Sequence, residues 1–82
     1  MATMLTALLL TPSRKLRLFR ENDHQKQWWT LDETRFCKKC EHLFIGRDIK
    51  VYEDEKGNVH FRCRTFGCPG GFEDWEYPQL HL

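Results

Sequence analysis

Four cysteines set the terms for this chain. Cys37 and Cys40 are separated by two residues, Cys63 and Cys68 by four, and the two pairs by 22. In a chain of 82 residues a hydrophobic core alone is marginal, so a staple is expected to supply what burial cannot. A two-residue gap lets the backbone turn until both sulfurs face one point. A four-residue gap containing Gly67 does the same with a wider loop. Two such pairs offer four thiolates, the donor set of a closed tetrahedral zinc site. Cys37, Cys40, Cys63 and Cys68 are therefore expected to hold one structural Zn2+, and such a site contributes folding free energy directly.

The competing chemistries fit less well. Two disulfides would suit a secreted chain, but the apolar residues 4–10 have no basic residue before them and several after, the reverse of a secretory signal. A mitochondrial presequence is matched only in part. A cytoplasmic setting is expected, where cysteines stay reduced and tend to bind metal. A thioredoxin-type C-x-x-C needs a βαβ context, which nothing after Cys40 provides. A rubredoxin-like iron carrier also uses four cysteines, usually with two C-x2-C pairs, and remains a distant alternative. A catalytic zinc needs an open coordination position, and four cysteines close it. No Ser/His/Asp set or phosphate loop appears, so no enzymatic activity is expected. His42 and His60 are spare donors, and His60, out of phase with Cys63, is expected to face away.

Between the pairs the pattern is that of a hairpin. Residues 49–53 and 59–63 alternate apolar and polar. The cluster Asp54-Glu55-Lys56-Gly57-Asn58 between them is turn-forming, with Gly57 available for a positive φ. An antiparallel hairpin of about 49–53 and 58–63 would bring both cysteine knuckles to its base. Upstream, Lys15-Leu16-Arg17-Leu18 alternates and reads as an extra N-terminal strand or arm, beginning after Thr11-Pro12 ends the leucine-rich stretch. Residues 21–27 hold no apolar side chain and read as a solvated linker. At least one of Trp28 and Trp29 should be buried. The expected layout is an apolar and basic arm at 1–27, a β-rich metal module at 28–71, and an acidic-aromatic tail at 72–82. Trp75 and Tyr77 of the tail are expected to pack on the module or on a partner.

The two cysteine pairs about a hairpin resemble the zinc ribbon superfamily. More narrowly, Phe61-Arg62-Cys63-Arg64-Thr65-Phe66-Gly67-Cys68 is similar to the second knuckle of four-cysteine ribbons in the tails of type IA topoisomerases. The resemblance covers about residues 36–71. It implies a small β-rich ribbon, with Cys37, Cys40, Cys63 and Cys68 as the metal ligands. The central spacing is longer than is usual in those tails, and Pro69-Gly70-Gly71 stands where they often carry a basic residue and Thr. Zinc ribbons also dock proteins in transcription and ribosome assemblies, so membership alone leaves function open.

Charge adds a second constraint. The formal net charge is +1, but residues 1–20 carry Arg14, Lys15, Arg17 and Arg20 and no acid. Lys38, Lys39, Arg62 and Arg64 flank the cysteines. These cations could meet phosphate, with Phe61, Phe66, Trp28 or Trp29 stacking unpaired bases. Equally, they could offset the −2 charge of a metal bound by four thiolates, or the arm could dock on Glu73, Asp74 and Glu76 of the tail. The expected role is a non-catalytic accessory module that binds nucleic acid or works within a nucleic-acid-handling complex. The alternative is a protein–protein adaptor using Trp75–Tyr77, Leu8–Leu10 and a sheet edge.

Overall fold

Two short hairpins, one on each side of the cysteine cluster, organise the chain. The computed structural model describes residues 4–78; the first three residues of the N-terminal segment and the last four of the tail lie outside it. The expected hairpin is present: β4 (Lys50–Glu53) pairs antiparallel with β5 (Val59–Arg62), Val51 opposite Phe61 and Lys50 opposite Arg62. Gly57 turns the chain at φ 84°, a conformation that costs glycine little because it lacks Cβ. Asp54 staples the turn. One oxygen takes the N–H groups of Lys56 and Asn58 at 2.9 Å each, and the other meets His60 Nε2 at 2.9 Å. The strand β1 (Thr6–Ala7) adds to β4, giving the sheet order β1-β4-β5.

A second sheet surrounds the first cysteine pair. Strand β2 (Thr34–Cys37) pairs with β3 (Leu43–Ile45) on one side and with β6 (Trp75–Glu76) on the other. The acidic-aromatic tail thus folds back as a strand. Trp75 stands opposite Cys37 in the register and is 1% exposed.

Residues 15–18 are helical, not extended. Helix α1 runs Pro12–Asn22. Thr11 caps it by accepting the Arg14 N–H on Oγ1 at 3.3 Å, and Pro12 occupies the first turn, where its missing N–H costs nothing. Lys, Leu and Arg are good helix formers and none is β-branched. Four residues of alternation cannot outweigh these signals. In the helix Leu16 and Phe19 share a face, and Phe19 is fully buried.

Phe19 is the contact that joins this helix to the rest. Its ring lies 4.9 Å from Trp28, 5.7 Å from Phe61 and 5.5 Å from Phe72, all edge-on. Phe72 continues the chain of rings to Trp75 at 5.1 Å, and Trp75 to Phe44 at 5.4 Å. Edge-on pairs contribute roughly 0.5–1.5 kcal/mol each beyond the area they bury. This aromatic spine crosses from helix to hairpin to tail and reaches the cysteines.

The segment read as a solvated linker is pinned at Asp23, which is buried. Arg35, 1% exposed, lies 4.0 Å from the Trp28 ring and 4.5 Å from the Tyr77 ring. Its NH2 group donates to the carbonyl of Gln27 at 2.9 Å. A buried guanidinium between two rings is a cation–π arrangement in its more favourable, desolvated form.

Candidate metal centre

Each sheet delivers one cysteine pair. Cys37 ends β2 and Cys40 sits in the turn that follows, while Cys63 directly follows β5 and Cys68 lies in the loop beyond. The first turn is closed by the Glu41 N–H donating to the Cys37 carbonyl at 2.7 Å, with Glu41 itself at φ 60°. The second is closed by the Cys68 N–H donating to the Thr65 carbonyl at 3.0 Å, with Gly67 at φ 80°. In the first loop the left-handed residue stands just after the second cysteine, in the second just before it.

The four Sγ atoms all lie within 4.8 Å of one another. Cys37 and Cys68 are 3.7 Å apart, as are Cys40 and Cys63. A tetrahedron with metal–sulfur bonds of about 2.3 Å has sulfur–sulfur edges of about 3.8 Å. Two of the six edges match that value and the rest lie within 4.8 Å, so the cluster can hold one metal ion. Among the described residues no other group of three or more metal-ligating side chains is found. His60 is turned to Asp54, as its strand phase predicted.

The surroundings suit thiolates. The Thr65 hydroxyl lies 3.2 Å from Cys40 Sγ and is the main reason that thiol is lowered to about 6 from an ordinary value of 9.0. Burial pushes Cys63 up to about 12 and raises Cys68 as well. The Gly70 N–H points at Cys68 Sγ at 3.4 Å. Gly70 has no room for a side chain: a Cβ there would stand 2.9 Å from Cys37 Sγ.

The cations singled out in the sequence do not act as one group. Lys15 donates to the Arg47 carbonyl at 2.8 Å, and Arg20 donates to the carbonyls of Trp28 at 2.7 Å and Trp29 at 3.1 Å. Both hold the fold. Lys38 pairs with Glu76 at 3.5 Å. Among the described residues no ion pair joins Arg14–Arg20 to Glu73, Asp74 or Glu76, so the tail docks by its strand and its rings rather than on the basic arm. Arg14, Arg17, Lys39, Arg62 and Arg64 are exposed.

Of the proposed stacking platforms, Trp28 is buried and Phe61 is packed in the aromatic spine; Phe66 is 96% and Trp29 69% exposed. Phe66 borders a groove of about 420 Å³ that the sequence did not reveal. Lys50, Tyr52 and Arg62 line it together with the second cysteine loop. Lys50 and Tyr52 alternate with buried Val51, which puts them on the outer face of the sheet. The alternation was visible in the sequence, but the Lys50–Arg62 pairing follows only from the register.

No protein-family model, curated protein or solved structure matches this chain. No helix among the described residues is long and apolar enough to cross a membrane.

Proposed function

We propose that this protein is a non-catalytic zinc module of ribbon type that binds single-stranded nucleic acid on the outer face of the β1-β4-β5 sheet. Four thiolates would fill a tetrahedral site and so favour a structural ion, and zinc suits that role because it has no redox chemistry of its own. One observation carries the binding reading. Lys50 and Arg62 stand directly opposite each other on β4 and β5, in a groove that also holds Tyr52 and exposed Phe66. Like charges directly opposite across a sheet destabilise it, and a phosphate between them would remove that cost. Rings beside the cations offer stacking surfaces for unpaired bases.

The adaptor reading has lost much of its surface. Trp75 is buried and Leu8 and Leu10 pack against the core, while Tyr77, stacked on Arg35, stays 50% exposed. Fully exposed Leu9 and the outer edges of β3 and β5 remain to it. An iron carrier would be coloured, whereas a zinc protein is colourless.

The test is salt-dependent binding of zinc-loaded protein to a fluorescent single-stranded oligonucleotide. The logarithm of the binding constant should fall linearly with that of salt, with a slope of about 0.7 per phosphate contact. The double substitution Lys50→Ala/Arg62→Ala should flatten the slope by about 0.7, the share of the one phosphate they would hold, and Phe66→Ala should weaken binding without changing it. Arg14→Ala/Arg17→Ala tests whether α1 adds contacts. No binding at low salt would overturn the nucleic-acid reading and leave the zinc assignment standing.

A further inference from the structure

Trp75 carries a buried indole N–H with no hydrogen-bond partner, although the side chain is 1% exposed. An orphaned buried donor costs about 1–3 kcal/mol, so an acceptor that arrives later is a natural explanation. Sulfur lies close to it. A point one bond length from the Gly70 Cα, in the direction a Cβ would take, is 3.4 Å from Trp75 Nε1, 2.9 Å from Cys37 Sγ and 3.4 Å from Cys68 Sγ. The missing side chain at Gly70 leaves the indole nitrogen and the two sulfurs around one small space. The register adds a second, independent constraint: Trp75 pairs directly with Cys37 across β6 and β2.

We infer that the Trp75 indole N–H is an outer-shell donor to the Cys37 sulfur, made effective when a metal ion converts the thiols to thiolates. This rests on reading the cluster as a metal centre. A neutral thiol is a weak acceptor and a metal-bound thiolate a charged one, for which hydrogen bonds are about twice as strong. Two of the other three sulfurs already have local donors. Cys68 lies near the Gly70 N–H and Cys40 near the Thr65 hydroxyl. Trp75 would supply the donor that Cys37 lacks, and its place in the aromatic spine would hold that donor still. The tail strand would then be a positioning element of the metal centre as well as a cover for it.

The decisive experiment follows the three indole N–H signals by NMR as full-length protein takes up zinc, and separately cadmium-113. Trp28, already bonded to Asp23, and exposed Trp29 serve as internal references. In the cadmium-loaded protein the Trp75 indole proton should show scalar coupling to cadmium-113 through the sulfur, a coupling that folding alone cannot produce and that Trp28 and Trp29 should lack. Trp75→Phe, which keeps the ring and removes the N–H, should weaken zinc binding about tenfold in a chelator competition. Uptake of one cadmium ion with an uncoupled Trp75 signal would overturn the inference while leaving the metal centre intact. Failure to take up either metal would overturn the metal centre and this role with it. The wild-type spectrum decides the matter even where the variant does not fold.

Discussion

The Asp23 carboxylate accepts a hydrogen bond of 2.9 Å from the Trp28 indole N–H, and both residues are buried. Its other oxygen accepts the N–H groups of Gln25 at 3.1 Å and Lys26 at 3.0 Å, while the Asp23 N–H donates to the Phe19 carbonyl at 2.8 Å. One residue thus ends α1, shapes the following turn and fixes the largest ring of the core. Asp23→Ala should lower unfolding free energy by about 3 kcal/mol, because it strands a buried indole N–H and two backbone donors. Asp23→Asn, which keeps an acceptor but loses the charge, should fall between it and the wild type. Urea denaturation of the zinc-loaded protein measures both.

Gly70 offers a test of how tightly the chain closes on the metal centre. The Gly70→Ala methyl would sit 2.9 Å from Cys37 Sγ and 3.4 Å from Trp75 Nε1. Neither neighbour is the free end of a flexible chain. The substitution should destabilise the metal-loaded protein by about 1–3 kcal/mol through overpacking and weaken zinc binding in a chelator competition. Gly57→Ala, with nothing within 4 Å of its notional Cβ, should lower stability through its positive φ without changing zinc affinity.

Metal removal should unfold much of the chain. Structural zinc contributes on the order of 10–16 kcal/mol to small finger peptides at neutral pH, about the whole stability of a domain this size. Purified protein should contain one zinc per chain by elemental analysis. A strong chelator should shift tryptophan emission to the red as Trp28 and Trp75 become exposed, and re-addition of zinc should restore it. Cys63→Ser should mimic the chelator.

The hairpin turn has its own signature in acid. The His60 ring beside Asp54 is the main cause that holds its carboxyl down to about 2, helped by the N–H groups of Asn58 and Lys56. An unfolded Asp titrates near 3.9. The folded value is the lower one, so the stabilisation from Asp54 is complete above about pH 4 and is lost as pH falls towards about 2. Zinc-loaded wild type should be more stable than zinc-loaded Asp54→Asn near neutral pH, where the Asp54 carboxylate is fully charged, as urea denaturation of both would show. A carboxyl carbon titration placing Asp54 at its unfolded value would refute the assignment.

Some of this architecture could be read from local spacing. The two cysteine gaps indicate two knuckles, and the alternation on either side of Asp54-Glu55-Lys56-Gly57-Asn58 indicates the β4–β5 hairpin. Both depend on residues close together in the chain, where short-range geometry decides. The second hairpin, β2–β3, went unnoticed because Leu43-Phe44-Ile45 is a short apolar run without alternation, which suits strand or helix equally. Strand β6 has only two residues and exists because Cys37 is there to pair with Trp75.

The sequence by itself determined that four sulfurs would be offered in two turns about a hairpin, because loop lengths of two and four residues leave the backbone few alternatives. The Thr11 cap, Pro12 and a run of helix formers made Pro12–Asn22 helical, while tertiary structure decided that Phe19 would be buried against rings from Trp28, Phe61 and Phe72. It also decided which aromatics remain exposed and which cations are committed to carbonyl groups. Those outcomes depend on contacts between residues from 8 to more than 30 positions apart, and composition carries no record of them. The cross-strand pairing of Lys50 with Arg62 and the placement of an unpartnered Trp75 N–H beside Cys37 are outcomes of the same kind.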